Sequence, residues 1–205
     1  MTFPNLLWRN NVDKLKIYCD FDNTIVNTIK CIVELYNDDF KYYPNFKNVI
    51  WMDVDSWDFT ECELASKDYI NMLFTQPRFF RKLGFMDWSF NVLMKLKDMH
   101  DISIILLGTT PNLKQKEKWI DDMFYGLKFM GINSHVYQDK SCVDMSDGIL
   151  IDDVADNLIS SNAKYKICFG DEYSWNKDWN GTRCHNWHDI YYKIQELNER
   201  STTDN

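Results

Sequence analysis

The chain has 205 residues, 45% of them hydrophobic, 16% aromatic and 26% charged, with a formal net charge of -8 at pH 7. That length supports one substantial core, alone or with a smaller inserted module, and leaves little room for a second full domain. The apolar content excludes general disorder, and the excess of carboxylates argues against a polyanion-binding surface, which must neutralise many phosphates with Lys and Arg.

Residues 1–11 lack the charged start and apolar stretch of a signal peptide. The first clear element is an apolar run, Leu15 to Cys19, that reads as a buried strand, followed from Ile25 to Phe40 by amphipathic helical spacing. Lys41 to Gly84 is rich in Trp, Tyr, Phe and Asp and poor in periodicity, which suggests an insertion; within it a helix is expected from Cys62 to Phe74, ended by Pro77. Asp87 has the character of an N-cap for a helix through Phe90, Leu93, Met94 and Leu96 to His100. Ile102 to Leu107 reads as a second buried strand stopped by Gly108, and Pro111 suits the first turn of a helix continuing through Trp119, Ile120 and Met123.

A third strand is expected at Ser134 to Tyr137 and a fourth at Gly148 to Ile151, running into Asp152 and Asp153. Val154 to Asn162 can form a short helix, Lys164 to Phe169 a fifth strand, and Asn186 to Arg200 a last helix with Trp187, Ile190, Tyr191, Ile194 and Leu197 on one face; Ser201 to Asn205 read as a frayed tail. Repeated strand, helix, strand units imply an α/β protein whose mainly parallel, five-stranded sheet is covered on both faces. No apolar run approaches the ~18 residues that span a bilayer. Six cysteines (Cys19, Cys31, Cys62, Cys142, Cys168, Cys184) show no C-x-x-C pair and read as reduced thiols. A soluble, cytoplasmic protein without a membrane partner is therefore expected.

In such a sheet the carboxyl ends of the strands are neighbours, and ligands bind in the crevice outside them. Asp20 and Asp22 follow the first strand, Thr109 and Thr110 the second, Asp152 and Asp153 the fourth. Four converging carboxylates repel one another unless a cation is present, and oxygen ligands completed by water and a substrate phosphate suit Mg²⁺. Cys184-His185-x-x-His188 lacks a second pair of ligands for tetrahedral zinc, and Asn133-x-His135 reads as a strand edge.

The ordered set Asp20-x-Asp22-x-Thr24, Thr109 at a strand end, Lys140, and Asp152-Asp153 resembles the haloacid dehalogenase (HAD) superfamily of phosphotransferases. The resemblance implies a Rossmann-like three-layer α/β/α core with a small, mostly helical inserted cap. It implies Asp20 as nucleophile, forming an aspartyl-phosphate, and Asp22 as general acid and base, also a metal ligand through its backbone carbonyl. Thr109 would hold a phosphoryl oxygen, with Thr110 a close second; both are also placed to N-cap the helix at Pro111. Lys140 is the lysine chosen to offset charge on the nucleophile and phosphate; Lys116 is the alternative, on a helix expected to be solvated there. Asp153 best matches the direct metal ligand, with Asp152 acting through water or on the lysine.

Further features are similar to the 5'(3')-deoxyribonucleotidase family: Pro77-Arg78-Phe79-Phe80-Arg81-Lys82-Leu83, Gly108-Thr109-Thr110-Pro111, the spacing from Asp139-Lys140 to Asp152-Asp153, Ser174-Trp175-Asn176, and Trp187 opening the last helix. Asn23-Thr24 replaces that family's glycine-containing turn, and the segment before Asp87 lacks its Pro-Gly. The resemblance implies a Mg²⁺-dependent phosphomonoesterase for (deoxy)nucleoside 5'-monophosphates, with a core of residues 1–26 and 85–205 and a cap of residues 27–84. Trp57, Phe74 and Phe79 would help bind substrate, although aromatic residues of a small cap mostly form its own core. The alternatives are a phosphatase for another small phosphorylated metabolite or a nucleic-acid end, and a catalytically silent binding protein. The expected partner is a small-molecule nucleotide rather than nucleic acid; a homodimer is compatible with the sequence.

Overall fold

The structure, a computed structural model, describes residues 14–203; the reading of residues 1–11, and of the last two residues as a tail, lies outside the described residues. Six parallel strands form one sheet among the described residues: β1 (Lys16–Cys19), β2 (Asp101–Gly108), β3 (Lys128–Asn133), β4 (Gly148–Asp152), β5 (Tyr165–Phe169) and β6 (Thr182–Cys184). Their order is β3-β2-β1-β4-β5-β6. Strand β1 is central, with Lys16 opposite both Asp101 and Gly148, and Cys19 opposite both Ile104 and Ile151. The winding changes direction between β1 and β4, so the switch point at which such sheets bind ligands lies at the carboxyl ends of these two strands.

The helices are α1 (Thr28–Phe40), α2 (Lys67–Leu73), α3 (Pro77–Lys82), α4 (Ser89–Lys97), α5 (Thr110–Met123), α6 (Ala155–Ser160) and α7 (Trp187–Thr203). Successive strand side chains point to opposite faces. Ile17, Cys19, Ile104, Leu106, Ile149 and Ile151 join one core with Leu93 and Leu96 of α4, Trp119 and Ile120 of α5 and Ile190 and Ile194 of α7. Ile105, Leu150 and Cys168 join a smaller core on the other face with Leu158 of α6. Both faces are covered, and burying each Leu or Ile contributes ~1.5–3 kcal/mol relative to exposure.

Several expectations need correction. The third strand is β3, upstream of Ser134 to Tyr137; there Val136 and Tyr137 both donate backbone N–H groups to the Asn133 carbonyl at 3.0 Å, which turns the chain away. The sheet has a sixth strand, β6. Residues 21–27 form a loop rather than the start of a helix, because Ile25 and Val26 both donate to the Phe21 carbonyl (3.0 and 3.1 Å); α1 begins after Asn27, whose side chain caps Lys30 N at 2.9 Å. Of Cys62 to Phe74 only α2 is helical, capped by the Ser66 hydroxyl on Tyr69 N at 3.1 Å. Asp87 is not the N-cap of α4: Trp88 occupies that position with a left-handed φ of 67°, and α4 stops at Lys97. Helix α7 continues to Thr203, into the stretch expected to be a tail.

The aromatic segment packs largely on itself and on α1. Arg78 grips Asp39 through two bonds of 2.7 and 2.5 Å, Tyr69 donates to the same carboxylate at 2.8 Å, and the Phe40 and Tyr69 rings meet edge-on at 5.1 Å. Its contacts with the rest of the chain frame the switch point. Ser174 N donates to Asp55 Oδ1 at 2.9 Å, Trp57 packs on Trp175 at 5.4 Å, and Asn112 of α5 donates to the Phe74 carbonyl at 2.8 Å.

Candidate active site

Asp20 continues β1 by one residue, its N–H donating to the Ile151 carbonyl of β4 at 2.8 Å. That ladder bond brings Asp20 beside the end of β4, where Asp152 and Asp153 leave the sheet. All three aspartates are buried, and each can offer an oxygen within 4.8 Å of the others. Lys140, fully buried, donates to both Asp20 Oδ1 and Asp152 Oδ2. The other oxygen of Asp152 accepts from Val154 N (2.9 Å) and Asn157 Nδ2 (3.2 Å). Asp153 Oδ2 accepts from Trp175 Nε1 at 3.0 Å, while Asp153 Oδ1 is buried without a partner.

Burial raises the Asp20 pKa to about 7, with Lys140 pulling it down and Asp152 and Asp22 pushing it up. Burial likewise raises Asp153 well above the carboxylate range, helped by the charges of Asp20 and Asp152. Burial lowers Lys140, but the two carboxylates outweigh it and hold the ammonium firmly charged. Three carboxylates thus face one lysine. An oxygen-only donor set with excess negative charge and an unpartnered carboxylate oxygen suits a hard divalent cation.

Asp22 stands apart from this triad. Its Oδ1 accepts from Thr28 Oγ1 at 2.7 Å, and its Oδ2 pairs with Lys116. Lys116 is only 1% exposed, which corrects the expectation of a solvated lysine. A signal was present in the sequence: Asn112, Lys116, Trp119 and Ile120 share the buried stripe of α5, the i, i+4, i+7, i+8 pattern of an inward face. Lys140 pairs with Asp20 and Asp152, and Lys116 pairs with Asp22.

Thr109 is half-buried at the N-cap position of α5 but makes no side-chain cap bond, leaving its hydroxyl uncommitted to the helix. Gly108 before it leaves room for the Asn112 side chain, since a Cβ there would lie 2.5 Å from Asn112 Oδ1 and push it aside. Thr110 is exposed, its hydroxyl 3.4 Å from Asn133 Nδ2. Trp57 packs on the tryptophan that holds Asp153, and the Phe74 ring lies 5.8 Å from the Lys116 ammonium. Phe79 is not available to a ligand: it is fully buried between Phe74 and Phe80. Cys184, His185 and His188 do not converge, as Cys184 is buried, His185 pairs with Asp171 at 3.0 Å and His188 packs on Trp88.

A cleft of about 590 Å³ opens beside Asp153, between α1, residues 84–87 and the ends of β5 and β6; Trp57 and Phe74 do not line it. Trp187 Nε1 donates to the Thr24 carbonyl at 2.8 Å, fixing the loop after Asp22 against α7.

The parallel sheet with this strand order, whose switch point carries Asp20, Asp22, Thr109, Lys140 and the acidic pair, has the fold of HAD-like hydrolases. The chain belongs to the family described as 5' nucleotidase, deoxy (pyrimidine), cytosolic type C protein, whose model matches residues 14–200. Among solved structures it is similar to a "predicted phosphatase" from Clostridium acetobutylicum (14% identity, 89% of this chain and 99% of that one, TM-score 0.61). A haloacid dehalogenase-like hydrolase from Streptococcus pneumoniae aligns at 12% identity over 88% and 98% of the chains, TM-score 0.57. A HAD hydrolase from Bacillus subtilis, bound to magnesium, aligns at 13% identity over 88% and 98%, TM-score 0.53. Such identities speak for the fold alone. No curated protein sequence matches the chain. Among the described residues no helix is long and apolar enough to cross a membrane.

Proposed function

We propose that the protein is a Mg²⁺-dependent phosphomonoesterase that hydrolyses deoxynucleoside 5'-monophosphates to nucleoside and phosphate, working in the cytoplasm. The observation that carries this reading is the division of labour among buried charges: Asp20 with Lys140 in an acidic triad, and Asp22 with Thr28 and Lys116 beside it. The nucleotide assignment rests on the family match.

An Asp20 oxygen attacks phosphorus while the ester P–O bond breaks, giving an aspartyl-phosphate and splitting one hard displacement into two easier ones. Asp22 donates a proton to the leaving alkoxide, then takes one from the water that attacks the same phosphorus and frees Asp20. Lys140 and the Thr109 hydroxyl stabilise charge on the phosphoryl oxygens. Asp20, Asp153, the Asp22 carbonyl and, through water, Asp152 would hold the cation, which supplies charge neutralisation to the phosphoryl group. The magnesium-bound Bacillus subtilis relative supports that choice of ion. Residues 27–84 act as a cap on a core of residues 1–26 and 85–205, with Thr110, Trp57 and Phe74 at the substrate side.

The test is a turnover panel of nucleoside monophosphates, sugar phosphates and short phosphorylated oligonucleotides with Mg²⁺, using Asp20→Asn as control. Deoxynucleoside 5'-monophosphates are expected to lead the panel, with no turnover by the variant. Activity confined to sugar phosphates or nucleic-acid ends would reject the nucleotide reading, and equal turnover by Asp20→Asn would reject the nucleophile.

A further inference from the structure

Asp153 meets the loop between β5 and β6, residues 170–181, which contains no helix or strand. The loop is tied to the end of β4 by three bonds: Trp175 Nε1 donates to Asp153 Oδ2 at 3.0 Å, Asn176 Nδ2 to the Asp153 carbonyl at 2.9 Å, and Ala155 N to the Trp175 carbonyl at 3.2 Å. The first of these sets how the carboxylate is turned. It engages Oδ2 and leaves Oδ1, buried without a partner, as the free oxygen.

The parts of the loop are secured differently. Asn176 is fully buried, and Arg183 of β6 donates to its carbonyl at 2.8 Å, so the core fixes the backbone there. The Trp175 indole is only half-buried, and of the two rings against it among the described residues, Tyr173, parallel at 4.5 Å, belongs to the same loop. The other is Trp57, at 5.4 Å, from the aromatic segment. Beside it Asp55 takes both polar groups of Ser174: Asp55 Oδ1 accepts from the backbone N–H at 2.9 Å and the Asp55 carbonyl accepts from the hydroxyl. A single such bond contributes little net, but here two are joined to a ring pair. Residues 55–58 are themselves well anchored, since Val54 and Phe59 on either side are buried in the main core and Glu61 accepts from Asp55 N at 3.2 Å.

We propose that Asp55 and Trp57 are positioning residues for the cation. By seating the aromatic segment on Ser174 and Trp175 they hold the indole in its bond to Asp153, so that docking of the segment and binding of the cation favour each other. The inference rests on Asp153 as a direct ligand. The coupling is reciprocal: whatever docking adds to cation affinity, the bound cation adds to docking. The proposed cap thereby acts on the metal site without touching substrate.

The test is calorimetric titration of the full chain with Mg²⁺ alone, together with amide exchange followed by peptide mass analysis. Asp55→Ala and Trp57→Ala are compared with Asp55→Asn, which keeps the Oδ1 acceptor, and with Asp58→Ala at an exposed neighbour. Asp55→Ala, Asp55→Asn and Asp58→Ala each remove one negative charge, so a pure charge effect would weaken all three alike. The two Ala variants at positions 55 and 57 are expected to bind Mg²⁺ about fivefold more weakly, the low end of couplings between sites, with near wild-type affinity in Asp55→Asn and Asp58→Ala. Mg²⁺ should also slow amide exchange across residues 54–58 of the wild type, and not in Asp55→Ala. Affinity unaltered in Asp55→Ala and Trp57→Ala, equal weakening in Asp55→Asn and Asp58→Ala, or exchange of residues 54–58 indifferent to Mg²⁺ would each overturn the inference and leave the cation in place. No Mg²⁺ binding by the unmodified protein, or full binding by Asp153→Asn, would reject the ligand assignment and the inference with it.

Discussion

Replacing Asp20 by Asn should abolish turnover and yet stabilise the metal-free protein. Burial holds the Asp20 carboxyl near a pKa of about 7, against an ordinary value of 3.8. In the unfolded chain the proton leaves at the lower value, so between these two pH values the folded state binds more protons, and stability falls as pH rises. Full stability in this respect is present below pH 3.8, and the loss is complete once pH exceeds about 7. At 1.36 kcal/mol per pH unit, the gap corresponds to about 4 kcal/mol, a large part of a typical 5–15 kcal/mol total. Asn is nearly isosteric and uncharged, and Lys140 keeps Asp152 as its partner. Urea unfolding in a chelator should therefore show Asp20→Asn more stable than wild type by up to about 4 kcal/mol at pH about 8, the difference shrinking toward zero in acid. Saturating Mg²⁺ should narrow or reverse the order, since the cation stabilises the ionised triad by binding only the folded state. A wild-type protein as stable as the variant in chelator at alkaline pH would refute the reasoning.

Lys116→Met should lower kcat by ~10²-fold through loss of Asp22 positioning, with KM little changed. The loss should be smaller for an aryl phosphate whose leaving group needs no proton, and a uniform loss across leaving groups would argue against a role through Asp22. Trp175→Phe removes the 3.0 Å bond to Asp153 while keeping the stack on Tyr173; Mg²⁺ affinity, followed by activation of turnover, should fall ~10–100-fold, the usual effect of losing a group that orients a ligand. Asp39 is held below the usual carboxylate range by the Arg78 hydrogen bonds, against burial and with help from Tyr69. Its stabilisation is therefore present above the ordinary value of 3.8 and lost as pH falls through the lower folded value. Asp39→Asn should cost about 1 kcal/mol at neutral pH, and thermal melts of the two proteins should converge in strong acid.

How much of this was legible in the sequence follows from where each element sits in the sheet. Strands β1, β2, β4 and β5 lie inside it, covered on both faces, and their concentration of apolar residues declares them. The two edge strands do not: β3 is largely half-exposed along Lys128–Asn133, and β6 is three residues, Thr182–Cys184, with only Cys184 buried. An edge strand has one neighbour, so its composition carries little of the signal. The motif aspartates and Thr109 stand out in the sequence because each follows a strand end, whereas Lys140 lies in the loop between β3 and β4 and is marked only by its 12-residue spacing before Asp152. Lys116 was harder, as its partner Asp22 is 94 residues away and only the inward stripe of α5 marks it. The Trp88 cap was illegible because a left-handed φ on a bulky residue runs against its ordinary backbone preference, whereas Asp87 fits the local rule. The cleft walls come from six separate parts of the chain, and no local pattern brings Asn23, Trp51, Phe85, Asp153, Gly170 and Asn186 together.

The central claim is covalent attack by Asp20 on a nucleotide phosphate, and borohydride trapping tests it most directly. The protein is mixed with a deoxynucleoside 5'-monophosphate and Mg²⁺, quenched during turnover, reduced, and mapped by peptide mass analysis. Reduction of an aspartyl-phosphate to homoserine at residue 20, absent without substrate, is the predicted result. Modification at another residue, or substrate turnover with residue 20 recovered only as aspartate, would contradict it.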